Sequence, residues 1–399
     1  MRTSPATTEQ SVRAEDRARI RRGLLYCLGV FVAMRVGLTL VALIGTGLLE
    51  ALPPVSAPGW AAPPADPGWH VLVTAWERFD GLWFLSIASN GYVDGNGSAA
   101  FFPGYPLLIR AVSPVLGGHP LAAALLVSNV SAFGSMVVLY FLSASELDEG
   151  AARRTVVYLA VFPTAFFLLA PYSEAPFLLL ALVSLWAARR RRWAIAGLAA
   201  AGASATRSIG ALLFIPLVAE AIGQRRESGE PPGAKLAWSA LALAGATGYA
   251  LFWQALSGDS LAPLHQQATW QRGLLFPTET VVRATAEAWR FPGLYPGGYH
   301  LLDWIIVVPA LAAGVWVARH TRLAFGLYTW LSLLVPLSFA FGPRPFMSMP
   351  RFLVVVFPLL WAFAAWAPKR RGIHEAVVAS FAGLHVLMLV LFVNWYFVF

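Results

Sequence analysis

Arg78 and Asp80 stand two residues apart in WERFDGLWFLSIASNGY (76–92), an ion pair's worth of charge set among Trp, Phe and Leu. A carboxylate half-buried beside aromatics is desolvated, which raises its basicity and suits a general base. The same residue type also suits a capping role for a short helix that begins DGLWFLSIA. Spacing alone leaves both readings of Asp80 open.

The other residues able to do chemistry are dispersed. Arg207 lies in ASATRSIG (203–210), where two short helices meet, and Arg344 and Arg351 lie in FGPRPFMSMPRFLVVVFP (341–358). A guanidinium is planar and can hold a phosphate at two points. Broken helices in membrane proteins aim their ends at ligands. Arg207 could equally pair with a carboxylate such as Glu174, and Arg344 and Arg351 could serve as interfacial anchors or meet an anionic head group. Glu174, in FLLAPYSEAPFLLL (167–180), sits in a short turn. There it either favours the next helix through its dipole or contacts a polar substrate. APLHQQATWQR (262–272) gathers His265, Gln266, Gln267, Trp270, Gln271 and Arg272. Amides and an imidazole beside a Trp suit the hydroxyls and apolar faces of a sugar; a solvated loop has the same composition. AAFFPGYPLLIR (99–110) reads as a rigid turn re-entering the membrane, with its aromatics at the interface.

Other chemistries find no support. The lone His of the 262–272 stretch has no second ligand at metal spacing, so neither a metal site nor a cofactor is expected. There is no P-loop, no GxGxxG after a strand, no HExxH and no nucleophile elbow. The one cysteine, Cys27, rules out an intrachain disulfide. In its apolar run it reads as an inert small hydrophobe.

The elements that must position these groups are membrane helices. The chain has 399 residues, 58% hydrophobic and 12% charged, where a soluble domain has about 25% charged. Apolar runs at roughly 23–49, 121–145, 155–170, 174–188, 193–206, 209–223, 236–256, 301–318, 323–341, 351–367 and 373–393 predict an all-α polytopic membrane protein with about eleven crossings. The formal charge of +9 sits in short clusters between the runs, a pattern that encodes topology rather than nucleic-acid binding. With a cytoplasmic tail at 1–22 and an uncleaved first span, the clusters EGAARR, RRRR, GQRRESGEPPGAK, ARHTR and PKRRG all fall inside. Two short helices across 193–223, rather than one long span, keep RRRR and GQRR on the same face. Residues 50–120 and 257–300 cannot span and form outer loops, the first predicted to carry short interfacial helices. Residues 23–399 make a single membrane domain with no repeat of fixed period. Arg78, Asp80, Glu174, Arg207, His265, Arg272, Arg344 and Arg351 are thereby predicted at one face.

In chain order, RFDGLWFLSIASNGY, FFPGYP, PYSEAPF, ATRSIG, the HQQATWQR loop and SMPRFLVVVFP resemble the PIG-V-type mannosyltransferases, relatives of the second mannosyltransferase of GPI-anchor assembly. One departure is Ile209, which stands in ATRSIG where the family pattern has Asn. The resemblance implies a GT-C glycosyltransferase architecture with its active site on the non-cytoplasmic face, in the plasma membrane of a bacterium or the ER membrane of a eukaryote. It implies a polyprenyl-phosphate-linked sugar donor, a lipid-linked or glycan acceptor, and inversion of a β-mannosyl phosphate to an α-mannoside. Asp80 matches the acidic residue of the family's first outer loop, the implied general base. Arg207 and Arg351, with Arg344 behind them, are implied to stabilise the leaving phosphate. Arg78, Glu174, His265, Gln266 and Trp270 complete the expected binding set, with membrane lipids as further partners. Other classes stay open: a transporter or flippase of a lipid-linked sugar, a silent scaffold, or a GT-C enzyme for another polyprenyl-phosphate sugar. A transport pathway asks for ionisable residues along the spans, where Arg35 is the main example.

Overall fold

The computed structural model describes residues 5–63, 69–229, 231–269, 271–293, 299–370 and 372–398, so that Trp270 lies outside the described residues. Helix α1 (Pro5–Gly45) leads into a long loop carrying α2 (Val71–Thr74), α3 (Asp80–Asn90) and α4 (Gly104–Val112). The centre of the bundle is α5 (Pro120–Glu146), α6 (Glu149–Val161), α7 (Glu174–Arg189) and α8 (Trp193–Thr206). Next come α9 (Phe214–Ser228), α10 (Gly233–Ala240) and α11 (Ala244–Ser257). A second long loop carries α12 (Ala262–Thr269), strand β1 (Arg272–Leu274) and α13 (Pro277–Arg290). The chain continues through α14 (His300–His320), α15 (Leu323–Ser338), strand β2 (Phe339–Phe341), α16 (Met349–Leu353), α17 (Pro358–Trp366) and α18 (Ile373–Val393).

Every apolar run falls on one or more of these helices. Six stretches among the described residues are long and apolar enough to cross a membrane: Arg17–Gly45, Pro120–Glu146, Ser208–Ser228, Gly233–Ser257, His300–His320 and Ile373–Val393. The runs at 155–170, 174–188, 193–206, 323–341 and 351–367 form shorter helices instead. At ~1.5 Å per residue, a helix the length of α6 covers about 20 Å of a hydrocarbon core ~30 Å thick. Among the described residues, six stretches thus have spanning length and the other runs form shorter apolar helices packed among them, so length alone does not establish the expected count of eleven crossings.

Residue size decides the centre. α8 reads WAIAGLAAAGASAT, and Ala196, Gly197, Ala200 and Ala203 are buried, with Gly197 against the Trp238 backbone of α10 and Gly202 against Leu180 of α7. Small side chains let two backbones approach closely where lipid offers no hydrophobic drive between helices. The stretch 193–223 does break. α8 ends at Thr206, Arg207 is extended (φ −151°, ψ 144°), and a 3-10 turn (Ser208–Leu213) leads into α9. That reversal needs Gly210, where a Cβ would lie 2.4 Å from the carbonyl carbon and oxygen of Ala203.

The loop helices differ from one another. α3, expected along the interface, is mostly buried: Gly81, Leu82, Phe84, Leu85, Ile87 and Ala88 face protein. Phe84 stands edge-on to Phe101 and Tyr105. α4 suits an interface better, burying Tyr105 and Ile109 while exposing Leu107 and Leu108. In the second loop, α13 buries Thr280, Ala284 and Ala288 and exposes Val282 and Trp289. Arg35 of α1 lies 4.8 Å under the ring of Trp76, so the first loop covers this mid-span cation. β1 pairs antiparallel with β2 in the register Arg272↔Phe341, which ties the second loop to the end of α15.

Candidate active site

Asp80 is the first residue of α3, after the N-cap Phe79, and no side-chain capping bond is made there. Its carboxylate turns to α16. Arg351 Nη1 donates to Asp80 Oδ2 at 2.5 Å, and the Asp80 side chain keeps 23% of its surface exposed. Phe79 is held at φ 51° by the rings of Phe392, Trp395 and Phe397, 5.4 to 5.9 Å away. A bulky residue in that region is strained and persists only where its surroundings over-determine it.

Arg351 also reaches inward. Its Nε donates to Glu174 Oε1 at 2.5 Å, and Arg207 Nη1 donates to the same oxygen at 2.5 Å. Arg207 further donates to Ser173 Oγ at 3.3 Å. Asp80, Arg351, Glu174 and Arg207 thus form one alternating chain of charge. It runs from a partly exposed end at Asp80 to Glu174, which is fully buried. Buried charge is tolerated only when paired, and here the pairing is uneven: among the described residues Glu174 Oε2 has no hydrogen-bond partner. Aromatic rings wall the guanidinium groups. Arg351 lies 4.7 Å from the Tyr172 ring and 5.4 Å from that of Phe167, and Arg207 lies 5.3 Å from Phe352. Tyr172 Oη donates to the Arg78 carbonyl at 3.0 Å, which fastens the turn before α7 to the loop bearing Asp80.

Other expected site residues are placed differently. Arg78 braces the loop: Nε donates to the Val393 carbonyl, Nη1 to those of Thr74 and Glu77, and its guanidinium stacks 4.5 Å from Trp395. Burial lowers its pKa to about 10. Arg344 forms a two-point pair with Asp303 at 2.6 and 2.8 Å, both side chains at most 2% exposed. In place of the phosphate contact expected of it, Arg344 compensates an acid of the α14 span. His265 pairs with Asp259 at 2.8 Å on an exposed part of α12, beside Gln266. Among the described residues no hydrogen bond or ion pair joins either of them to Asp80.

Four participants lie beyond the expected binding set. Tyr172 and Ser173 are in the PYSEAPF motif, so proximity to Glu174 was a usable signal. Arg272 donates from Nη2 to Ser348 Oγ at 2.7 Å and from Nη1 to the Phe339 carbonyl at 3.3 Å. Ser348 sits at φ 69° just before α16, a placement with no sequence signal. Left-handed φ values recur around the cluster, at Phe79 before Asp80, at Gln271 before Arg272 and at Ser348 before Arg351. Such strain gathers where function over-determines the backbone. Chemically, the cluster offers a carboxylate held at one oxygen, able to take a proton, and guanidinium groups able to stabilise an anion.

Fold and site together define a helical membrane protein with a carboxylate–guanidinium cluster between its loops and its bundle. A family profile described as mannosyltransferase (PIG-V) matches residues 30–218, somewhat under half of the chain. The matched region holds Asp80, Glu174 and Arg207; Arg272 and Arg351 lie beyond it. The profile match agrees with the family expected from the motifs, and the described residues form the all-helical architecture expected of a polytopic membrane protein. Among solved structures, the chain is similar to ArnT from Cupriavidus metallidurans bound to undecaprenyl phosphate, with 12% identity, a TM-score of 0.48, and coverage of 93% of this chain and 76% of that one. It is also similar to the Archaeoglobus fulgidus oligosaccharyltransferase in complex with Zn and sulfate, with 12% identity and a TM-score of 0.42. There the alignment covers 90% of this chain and about half of the other, 53%. No curated protein sequence matches the chain at significance.

Proposed function

We propose that this protein transfers a mannosyl residue from a polyprenyl-phosphate donor to a lipid-linked or glycan acceptor on the non-cytoplasmic face of its membrane. The observation that carries this reading is the pairing of Asp80 with Arg351, which leaves one end of a carboxylate accessible beside several guanidinium groups. The match to a mannosyltransferase profile supports mannosyl transfer; the apolar helices suit a donor carried by a lipid.

In the proposed step, Asp80 accepts the proton of an acceptor hydroxyl as that oxygen attacks the anomeric carbon. The bond between the anomeric carbon and the phosphate oxygen breaks on the opposite face, and its electron pair leaves with the lipid phosphate. A β-linked donor thereby gives an α-mannoside. Arg351 acts as a positioning residue for Asp80 through Oδ2, which presents Oδ1 to the acceptor. Arg207 and Arg351 also add positive potential near the leaving group. Arg344, paired with Asp303, has no part in this step.

Asp80→Asn tests the base. In membranes supplied with polyprenyl-phosphate mannose labelled in the sugar, transfer should fall by about 100-fold or more, with expression and melting temperature retained. Turnover at the wild-type rate would overturn the assignment. A transporter would yield no donor-dependent glycosylated product in the same assay.

A further inference from the structure

We infer that Arg272 is the two-point grip for the phosphate of the lipid-linked donor and for the lipid phosphate left after transfer. The inference rests on the polyprenyl-phosphate reading above and assigns one residue within it.

The first argument is charge. Within the cluster, the carboxylates of Asp80 and Glu174 face the guanidinium groups of Arg351 and Arg207. Arg272 adds a third cation whose hydrogen bonds go to neutral groups, the Ser348 hydroxyl and the Phe339 carbonyl. Among the described residues it has no carboxylate partner within ion-pair distance. Two carboxylates against three guanidinium groups leave the cluster one positive charge in excess. A sugar–phosphate–lipid diester carries one negative charge, which this excess matches. As the glycosidic bond breaks, a second negative charge develops on the same phosphate, where a preorganised cation acts most strongly.

The second argument is placement. β1 is held in register against β2, and Gln271 at φ 55° turns the chain into that strand. The Ser348 hydroxyl that receives Arg272 belongs to the segment leading into Arg351. The Phe352 ring is shared, 6.0 Å from the Arg272 guanidinium and 5.3 Å from that of Arg207. Burial lowers the Arg272 pKa, while Asp80 raises it and Arg351 lowers it, so these groups lie within electrostatic reach. An arginine has five N–H donors; the two bonds to Ser348 and Phe339 leave Nε and one hydrogen on each Nη for a ligand. Arg207 and Arg351, by contrast, are drawn to Glu174 and Asp80.

The experiment compares undecaprenyl phosphate with the uncharged alcohol undecaprenol as ligands of the purified full-length protein in nanodiscs, without any sugar. Wild-type protein should prefer the phosphate. Arg272→Gln should reduce that preference by about tenfold or more, with undecaprenol binding and melting temperature unchanged. If Arg272→Gln does not fold, Arg272→Lys decides, since it keeps the charge but not the two-point geometry, and several-fold weaker phosphate preference is expected. A wild-type preference in whichever variant folds would overturn the assignment, most clearly if Arg207→Gln loses it instead. If wild-type protein does not distinguish phosphate from alcohol, the polyprenyl-phosphate reading fails with it.

Discussion

Glu174 holds two guanidinium groups on one oxygen at the first residue of α7, with no surface exposed to solvent. Truncating it would remove the carboxylate that Arg207 faces and leave Arg351 with Asp80 alone, in a low-dielectric setting. Glu174→Ala should therefore destabilise the protein by roughly 3–5 kcal/mol, the usual cost of breaking a buried pair. Glu174→Gln, which keeps an acceptor oxygen, should cost less. Unfolding in detergent measures both, and an alanine variant as stable as wild type would show that the pairs do not hold the site. From the sequence, Glu174 could be a dipole-favouring first-turn acid or a substrate contact, and Asp80 a cap or a base. Residue type cannot separate these readings, because each depends on what lies opposite the side chain. The partner chosen by Asp80 lies 271 residues away along the chain.

At the scale of elements, the break between α8 and α9 sets where Arg207 stands. The prediction of two short helices came from keeping basic clusters on one face, and the extended backbone at Arg207 fulfils it. Gly210 makes the reversal possible, since the Ala203 backbone occupies the space of a side chain. Gly210→Ala should cost roughly 1–3 kcal/mol through overpacking, and transfer activity should fall as Arg207 shifts. Gly223→Ala in α9, with nothing within 4 Å of the new methyl group, should be neutral or slightly stabilising. Equal melting temperatures for the two variants would remove the close approach as an explanation. α3 was less legible. Its aromatic and aliphatic residues read as an interfacial face, whereas the folded chain encloses them, because α4 and α5 supply a second apolar surface.

For the whole molecule, the proposed orientation places both long loops outside and the basic clusters inside. Cys27, the one cysteine, is buried, so single reporter cysteines can be introduced with little background. Asp94→Cys in the first loop and Ser228→Cys at the C-terminal end of α9 are both at exposed positions. A membrane-impermeant maleimide applied to intact cells should label the first, and label the second only after the membrane is opened. Labelling of both from the same side would overturn the arrangement of loops on which the proposed outer-face site depends.

Apolar run length, basic clustering and the ordered motifs are local properties of the chain, and they alone determined that this is a helical membrane protein resembling the PIG-V type over its N-terminal half. Hydrocarbon exclusion of unpaired backbone groups acts on each segment by itself, so segment composition suffices to predict it. Which arginine meets which acid is not local. Arg344 is spoken for by Asp303 and Arg78 by backbone carbonyls, while Arg351 joins Asp80 to Glu174. Those pairings arise where loops and helix ends from distant parts of the chain converge. Only the tertiary structure decided them, because a charge buried at membrane depth takes whichever partner the packing brings within reach.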